Sequence, residues 1–315
     1  MKKTLRKPNL FIVGEPRSGT TALYNYLKEH PQIYFPKPKE PSHFATYFFE
    51  EYERIHKPRE PLRFKSKENY LKLYEGRDEQ YLGDASTKYL YSKEAAARIH
   101  KFNPDAKILA IFREPIDFLC SYHSRQLFLL NESEKNLIKA LKLEKYRKKG
   151  KKLPEQVKTP SSLLYSKRLQ YSEHIKRYLN HFPTDQIKII IFEDFKRDNL
   201  KILSEIYEFL NLKREHIPKL RIYNKNKIVR SRKLIRIKEN PLFNSLLQKL
   251  FPHNLYIFVK KMMDQVAIED KPSQPLNTKL KSYLKAKFRN NVKELNQILK
   301  YNNLIDQNLL KKWGY

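Results

Sequence analysis

Gly14-Glu15-Pro16-Arg17-Ser18-Gly19-Thr20-Thr21 brings together the residue types that an anion site needs. Glycines let the backbone wrap a tetrahedral group, and successive amides with a following helix N-terminus point at it. The order is glycine, four residues, glycine, then two positions opening a helix, which is the outline of a P-loop. A nucleoside-triphosphate site places Lys at the first of those two positions; here Thr20 stands there, followed by Thr21. That lysine neutralises β- and γ-phosphates beside Mg²⁺, so the loop is poorly equipped for ATP. It still cradles one tetrahedral anion. Arg17, inside the loop, supplies a cation from another direction, and its planar fork holds two oxygens at once.

A loop of this kind works only if strands and helices hold it. Three apolar runs read as buried parallel strands, each followed by a helix: Asn9–Val13, Lys107–Phe112 and Ile187–Phe192. Leu23, Tyr26 and Leu27 recur at helical spacing within Thr20–His30, and Pro31 stops that helix. Pro115 suits the first turn of a helix over Ile116–Leu130, and Leu203, Ile206, Tyr207 and Leu210 mark one over Leu200–Leu210. Strand–helix alternation predicts an α/β fold, a P-loop-like doubly wound parallel sheet flanked by helices. Right-handed crossovers then gather the loops at the carboxyl ends of the strands on one edge, where ligands bind. After about Pro241 the pattern is helical, with Leu280, Tyr283, Leu284, Phe288, Val292 and Leu295 expected to close the core. Residues 1–315 read as one domain with this helical C-terminal extension at about 241–315, and no internal repeat appears.

Composition narrows the partners. The 315 residues are 40% hydrophobic and 13% aromatic, enough for a packed core. The lone cysteine, Cys120, forms no intramolecular disulfide and no thiolate cluster, which suits a reducing, cytoplasmic setting. No apolar stretch is long enough to span a bilayer, and no export signal is read at the N-terminus. A net charge of +31 attracts anions of many kinds: nucleic acid, phosphorylated cofactors, acidic glycans or anionic membrane. Lys139–Lys152 packs eight basic residues into fourteen and reads as a solvated helix face running into a loop, with an acceptor-docking arm as the sharper alternative and contact with an anionic lipid surface also open. No grouping of residues has metal-ligand spacing.

The loop Pro16–Leu23 (PRSGTTAL) resembles the 5′-phosphosulfate loop of sulfotransferases that use 3′-phosphoadenylyl sulfate (PAPS). Arg17 matches their basic residue, and Ser18, Gly19, Thr20 and Thr21 match the rest of the loop. Phe112-Arg113-Glu114-Pro115, with Ser121 eight residues after Arg113, is similar to the family's 3′-phosphate element. Ile189–Asp198 through Leu210 resembles a family segment in which Glu193 and Asp194 fix the loop. Asn224–Leu234, containing Arg230 and Arg232, is similar to a stretch that closes over the donor. These matches run in the right order over about residues 9–235.

The resemblance implies sulfuryl transfer from PAPS to a hydroxyl or amine of a carbohydrate, lipid or metabolite acceptor. It implies a carbohydrate or glycan first, with release of adenosine 3′,5′-bisphosphate and without a metal. Pro38-Lys39-Glu40-Pro41-Ser42-His43-Phe44 is similar to the base-bearing stretch of heparan-sulfate-type and bacterial members, which makes Glu40 the first candidate for the base beside Arg17. His43 is the competitor and His123 a weaker one. In Gly83–Leu90 some members carry a lysine where this chain has Ala85; Lys88 is a candidate substitute. Arg17 and Ser18–Thr21 are expected on the phosphosulfate, Arg113 and Ser121 on the 3′-phosphate, and Arg230 beside them. A P-loop kinase and a basic nucleic-acid-binding protein are the rivals; the missing loop lysine weighs against the first, and no stacking platform supports the second. The 21 tyrosines and Trp313 fit sugar stacking as well as ordinary packing.

Overall fold

Leu10–Gly14 (β1), Ile33–Tyr34 (β2), Tyr81–Asp84 (β3), Lys107–Phe112 (β4) and Ile187–Ile191 (β5) form one sheet in the order β2-β3-β1-β4-β5, every neighbouring pair parallel. The computed structural model describes residues 6–58, 60, 62–213, 218, 227–229, 231–270 and 276–315. β1 is buried along its whole length and β4 and β5 nearly so, because helices cover both faces and the strands need no polar alternation. β1 is central, and the chain winds first to one side of it and then to the other. The loop after β1 therefore stands at the switch point where open α/β sheets bind ligands.

Thr20–Lys28 (α1) follows β1. Thr46–His56 (α2) and Lys67–Leu71 (α3) lie between β2 and β3, Ala95–Phe102 (α4) leads to β4, and Pro115–Phe128 (α5) leaves it. Leu137–Arg147 (α6), Tyr165–Arg168 (α7) and Tyr171–Leu179 (α8) precede β5; Phe192–Arg197 (α9) and Asn199–Phe209 (α10) follow it. Beyond them come Lys227–Val229 (β6), Arg232–Glu239 (α11), Pro241–Leu250 (α12), His253–Ala267 (α13), Ile268–Asp270 (β7), Thr278–Tyr301 (α14) and Leu309–Trp313 (α15).

The chain divides into two compact units, Met1–Leu119 with Tyr165–Asn224 and Leu276–Tyr315, and Cys120–Leu164 with Lys225–Pro275. The first holds the parallel sheet. Leu23 and Leu27 of α1 and Ile206 of α10 pack with Ile12, Leu109 and Ile190 of the strands. α14 lies against α8 and buries Leu284, Phe288, Val292, Leu295 and Leu299 at three- and four-residue steps. Tyr283, which the spacing groups with these residues, faces solvent. Gly83 sits in β3 because a Cβ there would meet the Phe35 ring at 2.2 Å.

In the second unit β6 and β7 pair antiparallel, and α11 packs with α12 and α13. Seven of the eight basic residues in 139–152 are exposed, as a solvated face requires. Arg147 is the exception: both its terminal nitrogens bond the Glu132 carboxylate at 2.7 Å, and the pair is buried. Among the described residues no helix is long and apolar enough to cross a membrane.

Candidate functional site

The loop after β1 is shaped by backbone that few side chains tolerate. Gly14 has φ 150°, and a Cβ there would lie 2.8 Å from Leu90 Cβ. Gly19, at φ 84°, brings the chain into α1 where a Cβ would press on Phe192 and Phe195 at 3.2 Å. Arg17 itself is left-handed, with φ 65°. The loop is anchored by the Glu15 amide, which donates to Ile111 O of β4 at 2.9 Å. α1 has no side-chain cap and no acidic residue in its first turn. Its leading amides and positive dipole end thus remain for an anion. Ser18 Oγ is buried with no hydrogen-bond partner among the described residues.

Arg113 stands where β4 ends. Its Nη1 donates to Arg17 O at 2.8 Å, its guanidinium lies over the Phe192 ring at 4.7 Å, and its Nε is buried with no partner among the described residues. One arginine thus braces the backbone that presents the other. The next residue, Glu114, accepts from the Asp117 amide at 2.7 Å in the first turn of α5 and from the Tyr315 hydroxyl at 2.8 Å. Burial pushes its carboxyl up, against those hydrogen bonds.

Glu193 and Asp194 do more than fix their own turn. Glu193 accepts the Glu114 amide and the Trp313 indole N–H, both at 3.0 Å. Asp194 receives Lys312 at 2.7 Å, Arg197 at 2.9 Å and Gln307 at 3.0 Å. Burial alone would raise Asp194, but these donors hold it below the ordinary value. The C-terminal segment is in this way clamped to the edge that carries Arg113. Trp313 is buried in that clamp, which takes it out of the sugar-stacking role.

The second half of the site comes from the segment after β2. Glu40 has φ 64° and Ser42 φ 59°, strained values for residues other than glycine. They persist because the turn is tied down on both sides. Lys39 Nζ donates to Thr21 Oγ1 at 3.2 Å and to Glu40 Oε1 at 3.3 Å, joining the anion loop to the glutamate. Thr87 Oγ1 donates to Glu40 Oε2 at 3.2 Å. The Ser42 amide donates to Ser86 Oγ at 2.9 Å, and that hydroxyl donates to Asp84 Oδ1 at 2.6 Å. Tyr89 and Tyr70 reach Asp84 Oδ2 at 2.7 and 2.8 Å. Burial pushes the Asp84 carboxyl up to about 6, opposed by the three hydroxyls, with Glu40 adding to the rise. Asp84, at the end of β3, is therefore the post on which the Glu40 turn hangs.

The structure brings Arg17, Ser18, Gly19, Thr20, Thr21 and Arg113 to one strand edge, with Glu40 linked to them through Lys39. His43 is buried, stacked on Tyr70 at 4.4 Å, with Nδ1 2.8 Å from Phe64 O, and burial lowers its affinity for a proton. His123 is likewise buried, with Nε2 2.8 Å from Glu134 O, and burial lowers it too. Ser121 is buried in α5, in the stretch assigned to the second unit. Lys88 lies over the Phe48 ring at 5.3 Å, and Ala85 is buried. Arg230 lies outside the described residues, and so does the side chain of Arg232.

Two features escaped the sequence reading. Lys39 is one, because its role depends on the left-handed turn at Glu40. The other is Glu15, fully buried, with Oε2 3.5 Å from Arg168 Nη1 and Oε1 3.8 Å from His174 Nδ1. Burial pushes its carboxyl up to about 7 against the pull of Arg168. A glutamate in a glycine loop reads as exposed, and Arg168 is 153 residues away in sequence.

Comparisons with known proteins bear on the family and the fold. The model of the sulfotransferase family matches residues 8–216. The chain is 26% identical over 212 residues to human bifunctional heparan sulfate N-deacetylase/N-sulfotransferase 3, which covers 66% of this chain and 22% of that protein. It is 27% identical over 217 residues to mouse heparan sulfate glucosamine 3-O-sulfotransferase 5, covering 69% of this chain and 56% of the relative. The chain thus spans under a quarter of the first and little more than half of the second. A crystal structure of a sulfotransferase from Alicyclobacillus acidocaldarius has the same fold, with TM-score 0.69, 23% identity, and 98% and 100% of the two chains covered. With a family match over about two-thirds of its length, on the segment that builds the sheet and the glycine loop after β1, this chain belongs to the sulfotransferase family.

Proposed function

We propose that the protein is a PAPS-dependent sulfotransferase acting on a hydroxyl or amine, with a carbohydrate or glycan as the acceptor class its matched relatives favour. The observation that carries the reading is Lys39, which bridges Thr21 of the anion loop and the Glu40 carboxylate at 3.2 and 3.3 Å. This link supports a reading in which Glu40 acts as base next to the loop that would hold the donor. The residues also suit the donor: a helix start without a side-chain cap, two arginines, and Ser18 Oγ and Arg113 Nε, which have no partner among the described residues, can all donate to acceptor oxygens.

PAPS, when bound, supplies an activated sulfuryl group whose departure leaves negative charge on a phosphate oxygen. Arg17, Ser18, Gly19, Thr20 and Thr21 hold the phosphosulfate by charge, hydroxyls and amides. Arg113 takes the 3′-phosphate; Ser121 and Arg230 keep donor roles on the family resemblance alone. Glu40, partly open to solvent and fixed by Thr87, takes the proton from the acceptor. It is preferred to His43, whose ring is committed to Tyr70 and Phe64. Lys39 faces the growing charge from the base side and does the work for which some relatives use the lysine replaced here by Ala85. Residues 1–315 act as one catalytic chain in a reducing, cytoplasmic setting.

The test is transfer from labelled PAPS to a desulfated heparosan-type polysaccharide and a panel of small alcohols and amines. Wild type labels an acceptor, whereas Glu40→Gln loses about 10²–10⁴-fold in rate and still binds adenosine 3′,5′-bisphosphate. Full transfer by Glu40→Gln, with His43→Gln inactive, would hand the base to the histidine.

A further inference from the structure

The second unit exposes apolar surface that an isolated soluble protein seldom leaves uncovered. α11, α12 and α13 pack on one another around the buried Ile235 and Leu247, and Lys260 Nζ donates to Lys238 O at 2.7 Å across them. That packing leaves large apolar side chains of both later helices bare, Ile257 of α13 lying off the stripe the others form. On α12 the bare stripe is Leu242, Leu246 and Leu250, at four-residue steps. On α13 it is Leu255, Phe258, Met262 and Val266, at three- and four-residue steps. Their exposures run from 41% for Leu255 to 81% for Leu242. Phe251, in the link between the helices, is exposed as well.

The charge around these stripes decides what covers them. Residues 232–267 hold seven Lys and Arg against two Asp and Glu, and the whole chain carries +31. Exposed Lys249 and Lys261 fall beside the apolar stripes on the helical wheel. A second copy of so basic a chain meets like-charge repulsion, whereas an anionic bilayer meets attraction for both the cations and the aliphatic side chains. Helices of 10 and 15 residues with an apolar stripe and lysines at its margin have the build of interfacial helices, and neither could span a membrane. The same unit also displays the exposed lysines of 139–152.

We propose that α12 and α13 form a docking surface for an anionic lipid bilayer, lying in the headgroup layer with Leu246, Phe258 and Met262 among the acyl chains. The test is flotation of the full chain with vesicles of phosphatidylcholine alone and of phosphatidylcholine with phosphatidylglycerol at about 7:3. It compares wild type with Leu246→Gln/Phe258→Gln/Met262→Gln, whose folding is checked by circular dichroism and unfolding midpoint. Exposed positions of this kind are changed with little effect on stability. Wild type is expected to float with the anionic vesicles, to bind the neutral ones weakly, and to be released by about 0.5 M salt. The triple variant is expected to bind anionic vesicles at least about tenfold more weakly. Equal binding by the variant overturns the proposal, because charge alone would then explain attachment. Absence of vesicle binding overturns it too. If the chain is then a dimer in sedimentation velocity and the variant a monomer, a second copy covers the stripes.

Discussion

Replacing Asp84 by asparagine separates two opposing effects that the structure places on one carboxylate. Asp84 is fully buried and accepts from Ser86, Tyr89 and Tyr70 at 2.6, 2.7 and 2.8 Å. Asn offers one oxygen where the carboxylate offers two, and it brings an amide with no acceptor provided. Losing one hydrogen bond and creating one poorly satisfied amide costs about 2–4 kcal/mol. Against this, burial raises the folded-state carboxyl from 3.8 to about 6. A rise of about two units means that ionised Asp84 costs the native state about 3 kcal/mol at pH 8. The sign follows from the direction of the shift: the folded state binds the proton more tightly, so this penalty is absent below the unfolded value and grows as pH rises through the folded one. Asn carries no such penalty. Urea unfolding at pH 4.5 and pH 8 should therefore find Asp84→Asn destabilised by about 1–3 kcal/mol in acid and within about 1 kcal/mol of wild type in base. The gap should narrow by about 2 kcal/mol between the two, at unchanged m-value. A gap that is constant, or wider at pH 8, would refute the reasoning. Activity gives a second reading, because a loosened Ser86–Ser42 tie lets the Glu40 turn drift; kcat should fall while adenosine 3′,5′-bisphosphate still binds.

Lys39→Met keeps the side chain's length and removes its charge from between Thr21 and Glu40; kcat for sulfuryl transfer should drop about 10²–10³-fold, the worth of one well-placed electrostatic donor, with little change in stability. Steady-state rates at saturating donor measure it, and a change confined to KM would assign Lys39 to binding alone. Gly83→Ala drives a methyl to 2.2 Å from the buried Phe35 ring and should destabilise by about 1–3 kcal/mol, read as a lower unfolding midpoint; an unchanged midpoint would mean the Phe35 ring moves aside freely.

The elements that sequence exposed are those whose signal is local. β1, β4 and β5 are dominated by apolar residues, with only Lys107 and Lys188 interposed, and the loop after β1 shows its glycines and arginine in eight consecutive residues. β2 and β3 leave no such trace. β2 has two residues, and β3 reads Tyr-Leu-Gly-Asp, a buried carboxylate next to a glycine that periodicity assigns to a turn. Asp84 belongs inside only because Tyr70, Tyr89 and Ser86 converge on it. Glu40 could be singled out from its neighbours, yet its tie to Thr21 through Lys39 needs a left-handed backbone that prolines and serine do not announce. Arg147 hid in a basic run because its partner, Glu132, lies fifteen residues earlier. For Trp313 the sequence left sugar stacking and ordinary packing both open, because Glu193, which takes its N–H, lies 120 residues away.

The most direct test of the account is calorimetric titration of adenosine 3′,5′-bisphosphate, beside ATP with Mg²⁺ and adenosine 5′-monophosphate, into wild type and Arg113→Ala. Micromolar binding is expected that needs the 3′-phosphate and weakens by at least about tenfold when Arg113 is removed, since a charge-assisted pair contributes about 1.5–3 kcal/mol. Preference for ATP with Mg²⁺, or binding indifferent to the 3′-phosphate and to Arg113, would contradict it.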